Sequence, residues 1–379
     1  MTDPQVHLVD DSTGLQRLIE ASSSWCSAAV DTEFHAENRY LPELMLVQLA
    51  PNPESVWIVD PMRVDIGCLA STLSEIDLIV HGGQEDLRLL AQHGITGKRV
   101  FDTQFGAGLV GLHFPASLNS LCKHFIQRDL LSGQTLSDWT TRPLTKQQLR
   151  YAAEDACLLL NLTTVIQAQL RDRDRESWAW ELGEDLAAKT AASQVQQRWL
   201  HWGVAQTLTL AQRRSMAALF EWREQIAKRR NRPTHYILSD RLMLSVVRAN
   251  PQNLDELSEN RRLNGGFIKR YGRNVLEIIN NHEQYPDPPP PLSTKERDLR
   301  QAIALWARIV GHRENIAPNL LLPESLLDSV VRDGVEALDG WRVHFGEQLN
   351  EFLRGRTQIQ ITDCIPTLTS AGKAQLDSK

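Results

Sequence analysis

Four carboxylates and one phenol lie in three short, widely separated segments. Asp31 and Glu33 stand in Ala-Val-Asp-Thr-Glu-Phe, Asp86 in Val-His-Gly-Gly-Gln-Glu-Asp-Leu, and Tyr151 and Asp155 in Leu-Arg-Tyr-Ala-Ala-Glu-Asp-Ala. Carboxylates that converge from distant segments suit hard divalent cations, which take oxygen ligands. Two such ions, about 3.5–4 Å apart, can clamp the attacking and leaving oxygens of a phosphodiester during in-line displacement. The local spacing permits convergence. Residues i and i+2 of a strand share a face, so Asp31 and Glu33 point the same way with Thr32 opposite. Residues four apart on a helix are neighbours, so the Tyr151 phenol and the Asp155 carboxylate can meet one ligand.

The elements needed to position these groups are legible. Asp10 or Asp11 can cap a helix running to about residue 21. Strands are expected near 27–34, 44–50 and 55–59, with Pro51-Asn52-Pro53-Glu54 as a hairpin turn. Then a helix at 66–73, a strand at 77–80, a helix at 84–93, a strand at 99–102 and a helix at 103–110 alternate. A hairpin followed by β-α-β-α implies a mixed sheet covered by helices. From 117 to about 203 nearly everything reads helical, and 147–170 carries Tyr151 and Asp155.

The 379 residues suggest two or three domains, and 42% hydrophobic content is enough for proper cores. No apolar run approaches the ~20 residues of a membrane span. The N-terminus lacks the basic head and apolar core of a secretory signal, so a cytoplasmic protein is expected. Five cysteines without a Cys-x-x-Cys pair indicate neither a zinc site nor a disulfide framework. The net charge of −6 is unevenly spread: −10 over residues 1–200, +6 over 201–285 and −2 over 286–379. An acidic catalytic part is in keeping with a site that gains positive charge when loaded with cations.

The basic middle segment holds Lys228-Arg229-Arg230-Asn231-Arg232 and Lys269-Arg270-Tyr271-Gly272-Arg273. Cations at a helix end suit its macrodipole without any ligand. The functional reading makes Arg229, Arg230, Lys269 and Arg270 phosphate contacts, which carry no base-sequence information. The C-terminal part also repeats itself. Trp222 and Trp306, Leu242 and Leu326, Val246 and Val330, Val247 and Val331, and Arg248 and Arg332 are each 84 residues apart. Phe267 and Trp341, and Gly272 and Gly346, are 74 apart. The proline-rich run 286–291 separates the copies as a stiff spacer. Residues 357–379 carry little patterning and are expected to be partly disordered.

At the three acidic motifs the chain resembles the DEDD exonuclease superfamily, in its tyrosine subclass, and within it the ribonuclease D family. Val-Phe-Asp-Thr-Gln at 100–104 and Ser-Asp-Trp-Thr-Thr-Arg-Pro-Leu-Thr at 137–145 extend the likeness. Both helical repeats resemble the HRDC module, a small helical bundle that often binds nucleic acid. The resemblance implies a ribonuclease-H-like mixed sheet flanked by helices over 1–203, then two all-α bundles at 204–285 and 292–356. It implies two Mg²⁺ or Mn²⁺ ions on Asp31, Glu33, Asp86 and Asp155, with Tyr151 orienting the attacking water. It further implies 3′–5′ trimming of RNA, with transfer-RNA precursors as the substrate class and 5′-mononucleotides as products, and no obligate protein partner. A DNA 3′–5′ exonuclease of the same superfamily and a catalytically silent RNA-binding protein are the alternatives; the intact set of five residues argues against the second.

The chain departs from its relatives at Ser132, where a lysine is common, and at Leu136, where a basic residue is. Several neighbours of the motifs have plainer readings. Glu85 and Glu154 are expected to face solvent, and His81 to be a packed strand-end histidine. Asp102 is a candidate cap or bracing group, and Arg142 a structural partner of a carboxylate. Asp138 and Trp139 either contact substrate or brace the site.

Overall fold

The computed structural model describes residues 4–130, 138–191 and 207–370. Ser132 and Leu136 lie outside these. The chain divides into two compact units. The first comprises Met1–His35, Leu44–Ala192 and Thr294–Lys379, and the second Ala36–Glu43 and Ser193–Ser293.

The first unit is built on strands β1 (Gln5–Val9), β2 (Ser27–His35), β3 (Glu43–Asn52), β4 (Ser55–Val59), β5 (Asp77–Val80) and β6 (Arg99–Asp102). Their order in the sheet is β1-β4-β3-β2-β5-β6. β3 and β4 form the expected antiparallel hairpin, while β1 runs parallel to β4, β2 to β5, and β5 to β6. Between the strands lie α1 (Ser12–Ser22), the short α2 (Ala70–Leu73), α3 (Gln84–Ala91) and α4 (Thr103–Leu109). Asp11 caps α1, its carboxylate accepting the Gly14 amide at 2.7 Å. Strand β1 is an addition to the sequence reading, although Val6 and Leu8 do alternate with polar residues there.

Beyond the sheet come α5 (Leu118–Ile126), α6 (Lys146–Arg171) and α7 (Glu176–Ala191). The region is less helical than the sequence suggests, because residues 138–145 form an irregular loop before α6. Thr145 and Gln148 close a reciprocal capping box that fixes where α6 begins. Ala152, Ala153 and Ala156 are fully buried on its inner face. Such small side chains let the helix lie close to the strands.

Alternation along β2 sorts its side chains between two cores. Ala28 and Val30 pack with Leu87, Leu89 and Leu90 of α3. Ala29 packs with Ala152, Ala153 and Ala156 of α6. The same parity carries on to Thr32 on one face, and to Asp31 and Glu33 on the other.

The second unit contains α8 (Leu210–Arg230), α9 (Thr234–Ile237), α10 (Asp240–Ala249), α11 (Leu254–Ser258) and α12 (Gly265–Asn280). Its core gathers Met216, Phe220, Met243, Val246, Val275 and Ile279. Asn231 ends α8 in the left-handed conformation, with φ of 45°. Its side-chain oxygen also accepts the backbone amides of Tyr40 and Leu41 at 3.1 and 3.2 Å. The Tyr40 hydroxyl donates to the Glu224 carboxylate. These bonds explain why residues 36–43 belong with this unit rather than with the strands that flank them in sequence.

The repeat is visible element by element. Helices α13 (Thr294–Glu314), α14 (Pro318–Leu321) and α15 (Glu324–Asp333) have the lengths of α8, α9 and α10 and start 84 residues later. The copies differ in their surroundings. Residues from 294 on fall within the first unit, where Ile303, Trp306, Leu320, Trp341, Phe345 and Leu349 share a core with α4, α6 and α7. A separate bundle at 292–356, as read from sequence, is therefore not a separate compact unit here. After α16 (Gly346–Leu353), strands β7 (Thr357–Thr362) and β8 (Ile365–Ser370) form an antiparallel hairpin. Asp363 and Cys364, with φ of 52° and 64°, make its two-residue turn. The expectation of disorder fails for 357–370 because Thr-Gln-Ile-Gln-Ile-Thr already alternates at strand period; the rest of the tail lies outside the described residues.

Candidate active site

The carboxyl end of β2 presents Asp31 and Glu33 toward α6. Asp86 comes from the first turn of α3, which follows β5 through His81-Gly82-Gly83. Gly82 has φ of +58°, where side chains are strained, and a Cβ on Gly83 would stand 2.5 Å from the Val80 side chain. Buried Asp102 fixes this turn. Its carboxylate accepts the amides of Gly82 at 3.0 Å and Gly83 at 3.1 Å, and caps α4 through Gln104 at 2.8 Å. The residue read as a cap or brace is both. His81 is packed, its Nδ1 2.9 Å from the Thr103 hydroxyl, and burial holds its pKa below the ordinary value.

α6 contributes Tyr151 and Asp155, and the phenol donates a hydrogen bond to the carboxylate. Trp139 is buried, its ring centroid 6.3 Å from that of Tyr151. The loop bearing it is held by Arg142, whose guanidinium pairs with Asp60 at 2.6 Å and donates to the carbonyls of Trp139 at 2.7 Å and Met45 at 3.0 Å. Arg142 is thus a structural partner of a carboxylate. Asp138 stays exposed and accepts from Thr140 and Thr141, which holds its pKa below the ordinary value.

The electrostatics show that the three segments share one site. Burial raises the Asp31 pKa well above its usual value, and the charges of Asp86, Asp155 and Glu33 add to this. Glu33 is pushed up to about 8 by burial, then by Asp155 and Asp86. Asp86 and Asp155 each rise to about 6, chiefly through burial. The Thr32 hydroxyl opposes the rise at Asp86, and the Tyr151 phenol opposes it at Asp155. The charged neighbours named for all four are carboxylates. Such a cluster is unfavourable alone and favourable around cations. Among the described residues no three of these groups are drawn into a closed cage. An all-oxygen, anionic donor set fits hard divalent cations.

One side chain adds to the sequence reading and another departs from it. Thr32, placed opposite Asp31 and Glu33, donates its hydroxyl to Asp86 at 2.5 Å. Asp86 arrives from α3, on the face of β2 that Thr32 occupies, so the site wraps round the strand end. Glu154 does not face solvent. It is 8% exposed and pairs with Arg128, which follows α5. The inward face of α6 is wide because α5 as well as the sheet packs against it. Glu85 pairs with Arg88 at 2.6 Å at the surface, as its neighbourhood suggested.

Residues 6–171 match the family model of the 3′–5′ exonuclease domain, and residues 212–279 match that of the HRDC domain. With the mixed sheet and its carboxylate cluster, this defines the chain as a 3′–5′ exonuclease. Ribonuclease D of Pseudomonas paraeruginosa is 27% identical over 90% of this chain and 96% of its own length. Ribonuclease D of Xanthomonas oryzae is 32% identical over 60% of this chain and 64% of its own length. The crystal structure of Escherichia coli RNase D, described as an exoribonuclease involved in structured RNA processing, superposes with a TM-score of 0.80. It has 24% identity and covers 93% of this chain and 100% of that one. The catalytic core of RRP6 from Trypanosoma brucei gives 0.54, with 19% identity over 75% of this chain and 81% of that one. The chain is similar to ribonuclease D over nearly its whole length and is a 3′–5′ exoribonuclease. No described helix is long and apolar enough to cross a membrane.

Proposed function

We propose that this enzyme is a cytoplasmic, divalent-metal-dependent nuclease that trims RNA 3′ ends, transfer-RNA precursors among them, and releases 5′-mononucleotides. The observation that carries the reading is the cluster of four carboxylates from three segments, each with a raised pKa. Asp31, Glu33, Asp86 and Asp155 would hold two Mg²⁺ or Mn²⁺ ions, which lower the pKa of water and stabilise the leaving oxygen when bound.

The protein's own groups do the rest. Tyr151, tied to Asp155, orients the attacking water. Its hydroxyl is a positioning group and not the base. The water gives up a proton to solvent as its oxygen bonds to phosphorus, the bond from phosphorus to the 3′ oxygen breaks, and that oxygen takes up a proton from solvent, so the shortened strand leaves with a 3′ hydroxyl. Thr32 and Asp102 keep Asp86 in place, and Trp139 backs Tyr151. Arg229, Arg230, Lys269 and Arg270 contact phosphates of the strand.

The test is an assay on an RNA with a 3′ extension, beside DNA of the same sequence, in Mg²⁺, Mn²⁺ or EDTA. Stepwise shortening with 5′-mononucleotide products, abolished by EDTA, supports the reading. Shortening that persists in EDTA refutes the metal assignment.

A further inference from the structure

Within the second unit, residues of α9, α12, the end of α8 and the segment 36–43 line an open cavity of about 520 Å³. That volume lies within the range of small-ligand sites, roughly 300–1,000 Å³. Arg230, Arg232 and Arg270 line it, with Tyr236, Tyr271 and Asn38, and no acidic side chain does. None of the three arginines has a carboxylate partner among the described residues. Arg230 stands 5.3 Å above the Tyr271 ring, and Arg232 donates to the Asn38 carbonyl at 3.2 Å.

Two further observations separate this cavity from a solvated basic face. Tyr271 is 8% exposed, yet its hydroxyl has no hydrogen-bond partner among the described residues. A buried, unsatisfied hydroxyl costs stability unless a ligand or water meets it. Tyr236 is 59% exposed, yet its hydroxyl is tethered to the Asn38 side-chain oxygen at 2.8 Å. The tether holds an aromatic face open to solvent beside the guanidinium groups.

Uncompensated guanidinium groups favour an anion, and a fixed aromatic ring favours a base, which stacks without regard to its identity. We propose that this cavity is a subsite for one nucleotide of the RNA strand. The arginines take its phosphodiester, the Tyr236 ring takes its base, and the Tyr271 hydroxyl supplies a hydrogen bond. The proposal rests on the exoribonuclease reading for its ligand and extends it by Asn38, Arg232, Tyr236 and Tyr271.

Binding is tested apart from cleavage, on the full chain in EDTA. The probes are a 5′-labelled oligoadenylate of about a dozen nucleotides and an abasic strand of equal length, followed by fluorescence anisotropy against salt. Tyr236→Ala should weaken oligoadenylate binding about tenfold and leave the abasic strand within twofold. Arg232→Ala should weaken both strands and lower the salt slope by about 0.7. Arg270→Ala, which breaks no hydrogen bond among the described residues, should do the same and guards against loss of the Asn38 contacts. Unchanged affinity in both arginine variants overturns the proposal. Equal losses on the two strands for Tyr236→Ala, or no loss on either, leave at most a general anion site and also overturn it. Failure of the parent to shorten RNA in Mg²⁺ would instead count against the catalytic reading, and the binding result would stand separately.

Discussion

Replacing Asp155 by Asn removes a charge from the crowded end of β2 and barely changes shape. The amide oxygen can still accept from Tyr151. Two effects of opposite sign should follow. Turnover should fall at least a hundredfold, because even partners of metal ligands cost 10–100-fold when altered. The metal-free protein should become more stable at alkaline pH. In that form the carboxylates of the cluster hold protons more tightly folded than unfolded: Glu33 titrates at about 8 and Asp86 and Asp155 at about 6. The folded state therefore binds more protons than the unfolded chain from about pH 4 to 8, and stability falls as pH rises through that window. Asp155's own rise from 3.8 to about 6 is on the order of 3 kcal/mol. Its charge is also the largest one acting on Glu33. Asp155→Asn should then flatten the decline and raise the metal-free melting temperature at pH 8 by several degrees. Thermal melts in EDTA at pH 5, 6.5 and 8, beside turnover of labelled RNA in Mg²⁺, check both effects. A variant no more stable than the parent at pH 8, or one retaining activity within tenfold, would refute the reasoning.

The other expectations concern single groups. Tyr151→Phe should lower kcat far more than it raises KM, because orienting water matters mainly in the transition state; steady-state kinetics showing only a raised KM would make Tyr151 a binding residue. Thr32→Val keeps shape and deletes the hydroxyl that reaches Asp86, so activity should fall about tenfold, with weaker response to limiting Mg²⁺; a metal titration of turnover reads this. Trp306→Ala should destabilise the first unit by about 3–5 kcal/mol, since the ring is buried in the core shared with α4, α6 and α7; chemical denaturation measures it.

How much of this was legible depends on the range of the signal. Asp31, Glu33, Tyr151 and Asp155 sit at strand and helix spacings, so their local convergence could be read from the sequence. The parity of β2 also follows from sequence. What lies across that strand does not, so nothing in the sequence ties Thr32, on the opposite face, to Asp86. The burial of Glu154 escapes the sequence for a similar reason: helix periodicity shows which residues share a face, but not how many partners cover the helix. The repeat was visible in residues 84 apart, yet the placement of its second copy was not. An apolar stripe containing Ile303, Trp306 and Val310 serves a separate bundle or a shared core equally well. Removing everything after residue 206 looks clean in sequence, but it would strip Trp306, Trp341 and Phe345 from the core of the unit that holds the carboxylates.

That shared core gives the site its rigidity. Asp31 and Glu33 are fixed by strand pairing, Asp86 by the Asp102 clamp on the preceding turn, and Tyr151 and Asp155 by a helix of 26 residues with a closed capping box. Each group thus sits on a regular element or immediately after a braced turn. A cluster of like charges needs such holding, because its own electrostatics push it apart. The packing of α13 and its neighbours against α4, α6 and α7 adds apolar burial to the same unit. The C-terminal repeat therefore adds to the core of the unit that carries the carboxylates. The basic first copy lies in the other unit and has a core of its own, whereas the second copy shares its core with α4, α6 and α7.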